Sequence, residues 1–292
     1  GGIFLFLLYN FNLKLYKILG GEKKMLKSKK IVLLVVMVIG VSLLLGGCAG
    51  DENQTKLEQI KEDGKIVLGT AADYPPYEFH KQIDGEDQIV GFDIEIAKEI
   101  ANDLDVELEI KDMKFDGLLA ALKAGNIDFI IAGMVPTEER AESVDFSIPY
   151  YEAEQKFLTK IDNASTYQEI ENLNGLKIGA QKSTVQQEIA ETKIDASEYK
   201  FISKITDLVL ELKNDKIAGI VLVKPVATSY AQANDDLAVA DVSLGKEDGI
   251  AVAVDKGNET LMTEINSTLE RLLENEKITE FIAEATKLAE SN

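Results

Sequence analysis

One cysteine and one histidine are all that the 292 residues offer to thiol or imidazole chemistry. A lone cysteine excludes an internal disulfide, and the two residues together cannot build the thiolate or imidazole cluster of a zinc site. Basic residues are scarce too, 31 against 51 acidic ones, for a formal net charge of -20. The shortage is uneven. Residues 1–47 hold seven lysines against Glu22 alone, so from Cys48 onward 24 basic residues face 50 acidic ones, a net of -26. A body with that field repels phosphate backbones, which excludes nucleic acid as a partner. No short-period repeat or low-complexity segment occurs. The chain is 46% hydrophobic and 28% charged, which permits a real core, and its length allows one large domain or two small ones.

The N-terminal part reads as an address. Lys27, Lys29 and Lys30 follow Met25 and form a positive flank. An apolar run from Ile31 to Leu45 comes next, shorter than the roughly 20 residues that span a bilayer and suited to a signal peptide. It ends in Leu45-Gly46-Gly47-Cys48, which resembles the bacterial lipobox, where the cysteine thiol receives a lipid before cleavage. Acyl chains, at about 0.8 kcal/mol per buried CH₂, then hold a protein on the membrane surface. Residues 1–24 fit nothing downstream, and Gly20-Gly21-Glu22 can be encoded as a ribosome-binding purine run. They are expected to be translated upstream sequence, with an extended positive flank as the alternative. Residues 25–47 are then the signal peptide, and polar residues 48–62 a tether holding one helical turn near Leu57 to Lys61.

Beyond the tether, strand and helix patterns alternate. Lys65 to Thr70, Val106 to Ile110 and Asp128 to Ala132 read as strands. Between them, Asp93 to Leu104 places Ile96, Ala97, Ile100, Ala101 and Leu104 on one helical face, and Asp116 is positioned to cap a helix that Gly125 ends. The pattern recurs: a strand at Leu176 to Ala180, helices at Thr184 to Ala190 and Ile205 to Leu212, and a strand at Gly219 to Val223. A strand at Ile250 to Val254 and two amphipathic helices, near Glu259 to Glu274 and Lys277 to Leu288, close the chain. Alternation of this kind predicts an α/β fold of mostly parallel sheets flanked by helices, in two lobes with a cleft between them.

Ligands on open α/β sheets gather at the carboxyl ends of strands. Gly133-Met134-Val135-Pro136-Thr137-Glu138-Glu139-Arg140 follows the third strand. Thr137 can cap a helix there, and free amides beside the Arg140 guanidinium make a carboxylate site. Taken alone this is also an ordinary helix start with a surface arginine. A second helix start, Gln181-Lys182-Ser183-Thr184-Val185-Gln186, reads as a capping box from Ser183 to Gln186 and faces the first across the cleft. Tyr74, Tyr77 and Phe115 can wall a pocket, Tyr77 and Phe79 being expected in the core, and His80 in a solvated loop.

On these residues the chain resembles the family 3 extracellular solute-binding proteins, the polar amino-acid receptors of ABC importers. Gly91-Phe92-Asp93-Ile94-Glu95-Ile96-Ala97-Lys98-Glu99-Ile100-Ala101-Asn102-Asp103-Leu104 fits the family signature throughout. So do Tyr74-Pro75-Pro76-Tyr77-Glu78-Phe79, Lys114-Phe115-Asp116-Gly117, the Gly133 to Arg140 loop, Val144-Asp145-Phe146-Ser147 and Gly175-Leu176-Lys177-Ile178-Gly179, so that the likeness runs from about Gly64 to Leu288. The resemblance implies a two-lobed, type II periplasmic-binding-protein-like fold with a two-strand hinge. Residues 63–153 with 249–292 would form lobe 1 and residues 154–248 lobe 2, the chain crossing near Tyr151 to Gln155 and Gly245 to Gly249.

It further implies that Arg140 grips the ligand α-carboxylate with Thr137 and the backbone of Gly133, Met134 and Val135, while Tyr74 and Phe115 sandwich the ligand. Gln181, Ser183, Thr184 and Val185 would contact it from lobe 2. Three positions depart from the family pattern. Val135 stands where a hydroxyl is common, Ser183 where glycine is frequent, and Val223-Lys224-Pro225 where an acid usually meets the ligand ammonium. Ala71 likewise falls where some relatives place an acidic contact. Glu78, Glu247 or Asp248 could supply the missing charge, or Lys224 could select a ligand with an extra carboxylate. The expected partners are a polar amino acid, permease subunits and, through lipidated Cys48, the membrane. No cofactor or metal is expected, and the protein is expected to be monomeric. A dehydratase on the same fold, which needs a positioned acid or base, and a ligand-sensing ectodomain are the alternatives.

Overall fold

The computed structural model describes residues 54–246 and 249–291. The expected signal peptide, Cys48, most of the expected tether, and both Glu247 and Asp248 lie outside the described residues. What is described of the tether is already part of the folded body. Thr55 and Glu58 form a reciprocal capping box that starts a helix at Lys56–Asp63, longer than the single turn expected. Ile60 is buried, and Lys56 pairs with Asp128 at 2.5 Å, which pins this helix to the first sheet.

The first lobe is built on a five-stranded sheet, in the order Glu107–Asp112, Lys65–Thr70, Phe129–Ile130, Ala253–Asp255, Val144–Phe146. Its first three strands run parallel, with Leu68 opposite Ile110 on one side and Phe129 on the other. The C-terminal strand returns antiparallel, Ala253 against Ile130 and Phe146. The helix Phe92–Leu104 buries Phe92, Ile94, Ile96, Ala97, Ile100, Ala101 and Leu104, each large one contributing about 1.5–3 kcal/mol. Gly91 starts it with φ 136°, and a Cβ there would lie 2.0 Å from the Tyr77 carbonyl oxygen. That close approach lets the Tyr77 carbonyl accept from the Asp93 amide at 3.0 Å, and Pro76 from Phe92 at 3.1 Å.

A hairpin of Glu78–Ile83 and Glu86–Val90 was not anticipated. Its turn, Asp84-Gly85, has positive φ at both residues, the conformation a two-residue hairpin favours. His80 therefore lies on a strand rather than in a loop, and its ring nitrogens face Asp87 at 2.8 Å and Asp112 at 3.4 Å.

The second lobe repeats the scheme in the order Glu198–Ile202, Lys177–Gln181, Gly219–Val223, Glu154–Lys160, Leu237–Val239. Its first three strands are parallel, and Glu154–Lys160 runs against them. The strands Glu154–Lys160, Glu198–Ile202 and Leu237–Val239 and the helix Lys224–Gln232 go beyond the sequence expectation. The chain passes between the lobes twice, side by side: Tyr151 bridges Ile250, and Gly245 pairs with Gln155.

Candidate functional site

The loops at the carboxyl ends of both sheets meet across one cavity, which encloses about 320 Å³ of space not filled by atoms, part of it open to solvent. Lobe 1 contributes Ala71, Asp73, Tyr74, Glu78, Phe115, Ala132, Gly133, Val135 and Arg140; lobe 2 contributes Gln181, Thr184, Val185 and Gln186.

Arg140 sits in a short helix, Glu138–Ala141, whose first turn is held because the Thr137 hydroxyl accepts from the Arg140 amide at 3.2 Å. The side chain is 9% exposed. Its Nη1 donates to the Val135 carbonyl at 2.6 Å and its Nη2 to the Ser183 carbonyl of the other lobe at 2.9 Å. The Phe115 ring lies 5.4 Å from the guanidinium carbon, within cation–π range. A guanidinium so placed can exchange a carbonyl for a ligand carboxylate.

Three carboxyls surround this cation-poor space. Glu78 is buried, and neither of its oxygens has a hydrogen-bond donor among the described residues. Burial, and after it the charge of Asp93, pushes its carboxyl well above the usual range. Asp93, behind it, accepts from the Gly133 amide and the Tyr150 hydroxyl, each at 2.9 Å. Burial still raises it to about 7 against those two bonds and a hydrogen bond with Glu78. Asp73 accepts from the Ile205 amide at 2.7 Å through Oδ2, while Oδ1 is unpaired among the described residues. Burial raises it to about 6.

Direct bonds hold the lobes together around the cavity. The helix Ile205–Lys213 has no side-chain cap of its own, and Asp73 supplies the missing acceptor from the opposite lobe. Tyr230 donates its hydroxyl to the Asp73 carbonyl at 2.7 Å. Asp116 accepts from Ser203 at 3.1 Å and faces Lys182 at 3.4 Å. It does not cap its own helix, which starts at Leu118 after a 3-10 turn, because its carboxylate is turned across the cleft.

Nine residues singled out in the sequence thus share the cavity wall, and four do not. Met134 is wholly buried in the first lobe's core. Thr137 is occupied by its capping bond. Ser183 has φ 64°, and its carbonyl reaches Arg140 while its amide donates to Gln187 at 2.9 Å. The cap of the second helix is therefore Thr184, accepting from Gln187, one residue later than the expected box. The left-handed backbone at Ser183 accounts for the family's glycine there. Lys224, the cation that could have favoured a ligand with an extra carboxylate, is exposed at the first turn of its helix and is not among the residues of the cavity wall. Gly133 offers no free amide to a ligand carboxylate, since Asp93 holds it.

Asp73 and Gln186 were missed. Asp73 follows a strand's carboxyl end by three residues, a position that could have drawn attention to it; Gln186 had no such signal. Among the described residues no group of three or more His, Cys, Asp or Glu is placed to hold a metal.

Two α/β lobes with paired crossings and opposed helix starts define a two-lobed solute-binding protein. Comparison with known proteins agrees. The chain belongs to the bacterial extracellular solute-binding proteins, family 3, whose profile matches residues 66–285. It is 34% identical over 254 residues to the arginine-binding extracellular protein ArtP of Bacillus subtilis, covering 85% of this chain and 94% of that one. The L-cystine-binding protein TcyJ of Escherichia coli is 28% identical over 240 residues, 82% of this chain and 86% of its own. Among solved structures, an amino acid ABC transporter substrate-binding protein of Streptococcus pneumoniae bound to L-arginine has 36% identity and a TM-score of 0.78. The match covers 80% of this chain and all of that one, 100%.

Proposed function

We propose that this chain is the extracytoplasmic capture component of an ABC importer, and that its ligand is an amino acid with a cationic side chain, arginine first. One observation carries the choice of ligand. A single guanidinium, Arg140, shares its cavity with two carboxyls that have oxygens lacking partners among the described residues, Glu78 and Asp73. A ligand with one carboxylate and two cations matches that set, and each buried group it satisfies escapes a desolvation cost of about 1–3 kcal/mol or more. Arg140 takes the α-carboxylate; Glu78 and Asp73 divide the α-ammonium and the distal cation. Tyr74 and Phe115 wall the aliphatic stem. The arginine-binding relatives support this reading, and the cystine-binding one marks how far specificity varies on the same frame.

Capture proceeds by hinge closure, and the ligand shifts that equilibrium only through tighter binding to the closed form. The closed form is what the permease subunits receive. A lipid on Cys48 keeps the protein at the outer face of the membrane. The protein acts as a monomeric carrier and turns nothing over, a reading supported by relatives that are transport binding proteins.

Calorimetry with the twenty amino acids tests the ligand. Arginine and lysine should bind most tightly, arginine near micromolar, about -8 kcal/mol. A neutral or acidic amino acid that outbinds both would sink the proposal. For the anchor, Cys48→Ser should release the protein from the membrane fraction, and retention there would rule the anchor out.

A further inference from the structure

The buried carboxyl pair beneath the cavity has a consequence for how the ligand is captured. Glu78 lines the cavity, and Asp93, Tyr77 and Tyr150 are buried close behind it, all four from the first lobe, so the pair exists before the lobes close. Asp93 is served by two donors, the Gly133 amide and the Tyr150 hydroxyl. Glu78 has no donor among the described residues, and its carboxyl lies within hydrogen-bonding reach of Asp93. Among the described residues, the charged groups that bear on it most are acidic: Asp93 from the helix Phe92–Leu104, Asp73 from its strand, and Asp112 from the end of Glu107–Asp112. The cation of the cavity wall, Arg140, directs both of its described hydrogen bonds to the carbonyls of Val135 and Ser183. Two adjacent carboxylates, buried with no counter-ion among the described residues, do not both ionise.

We propose that the Glu78–Asp93 pair holds one proton in the empty site and releases it to solvent when the ligand's cation docks on Glu78, so that each ligand captured frees one proton. This rests on the reading that Glu78 accepts a cationic group of the ligand. The Glu78 O–H bond breaks, its electron pair stays on the carboxylate, the proton goes to water and buffer, and the arriving ammonium or guanidinium replaces it as the positive partner. The direction in which burial and Asp93 shift Glu78 agrees with a proton held at neutral pH. In the loaded site the ligand carboxylate faces Arg140, and its two cations face Glu78 and Asp73. Because the bound form carries one proton fewer, affinity rises with pH, about tenfold per unit, until the pair ionises in the empty protein as well.

The test is calorimetry of L-arginine binding in phosphate and in Tris at pH 7.5, above the value near 6 of Asp73. The dependence of the observed heat on the buffer's ionisation enthalpy counts protons. The wild type should release close to one per arginine, and Glu78→Gln should bind arginine more weakly and release none. Urea unfolding of Glu78→Gln establishes that it is folded. Weaker binding in Glu78→Gln with no proton released by the wild type overturns the proton release and leaves the cation-binding role of Glu78 standing. Unchanged arginine binding in Glu78→Gln overturns both, as does the absence of arginine binding to the wild type. Release that persists in Glu78→Gln assigns the proton elsewhere and also overturns the inference.

Discussion

The Nη2 of Arg140 donates across the cleft to the Ser183 carbonyl at 2.9 Å. The residue proposed to meet a ligand carboxylate is therefore also engaged by the opposite lobe. The guanidinium is thereby held extended in the gap, with Val135 fixing its other nitrogen. Arg140→Ala should remove the anchor without disturbing either sheet. Losing one partner of a buried charge-assisted pair costs about 2–5 kcal/mol, so arginine affinity should fall roughly 30-fold to several thousandfold by calorimetry. Unchanged affinity would remove Arg140 from the site.

Closure has contacts that need not touch ligand. The Tyr230 hydroxyl bonds the Asp73 carbonyl from the other lobe at 2.7 Å. A hydrogen bond of this kind contributes about 0.5–1.5 kcal/mol net. Tyr230→Phe should weaken arginine binding about three- to tenfold while the preference order among amino acids stays as it is. A changed order would mean that Tyr230 contacts the ligand.

Gly91 is required by backbone geometry. With φ 136° and a Cβ that would sit 2.0 Å from the Tyr77 carbonyl oxygen, Gly91→Ala must open the junction between the Tyr74 to Phe79 segment and the helix Phe92–Leu104. The expected loss is about 3 kcal/mol or more in urea unfolding. A loss below 1 kcal/mol would show that the junction yields.

Asp93 ties stability to pH. Its folded value is raised from 3.8 to about 7, so the folded protein binds more protons than the unfolded chain between those limits. The contribution of this group is fully present below its unfolded value and is lost as pH rises through about 7. Measured against Asp93→Asn, the wild type should lose stability across that window. A wild type that gains stability relative to the variant as pH rises from 5 to 7 would reverse the sign and refute the assignment.

Much of the frame was legible because apolar runs and helical periodicity are local. Lys65–Thr70, Phe92–Leu104, Gly219–Val223 and Glu259–Glu274 all lie where their patterns put them. The hairpin was missed although Asp84-Gly85 is a hairpin turn signal, because its strands carry His80, Lys81, Gln82, Glu86, Asp87 and Gln88 and bury little. Cavity residues on strand ends and helix starts, such as Arg140 and Thr184, follow from the rule about carboxyl ends. The partners that set their chemistry do not. Asp93 reads in sequence as a favourable first-turn acid, and only the folded chain brings it beside Glu78, 15 residues away along the chain. The same holds for Asp116, which pattern assigns to its own helix and which the fold spends on Ser203 and Lys182.

L-citrulline has the shape of L-arginine with a neutral urea in place of the guanidinium, so a titration of both against the wild type isolates the distal charge. With two acids in the cavity wall beside Arg140, arginine should bind at least about a hundredfold more tightly, the worth of one well-desolvated charge pair at about 3 kcal/mol. Equal affinity for the two would contradict the claim that Asp73 and Glu78 select a doubly cationic ligand.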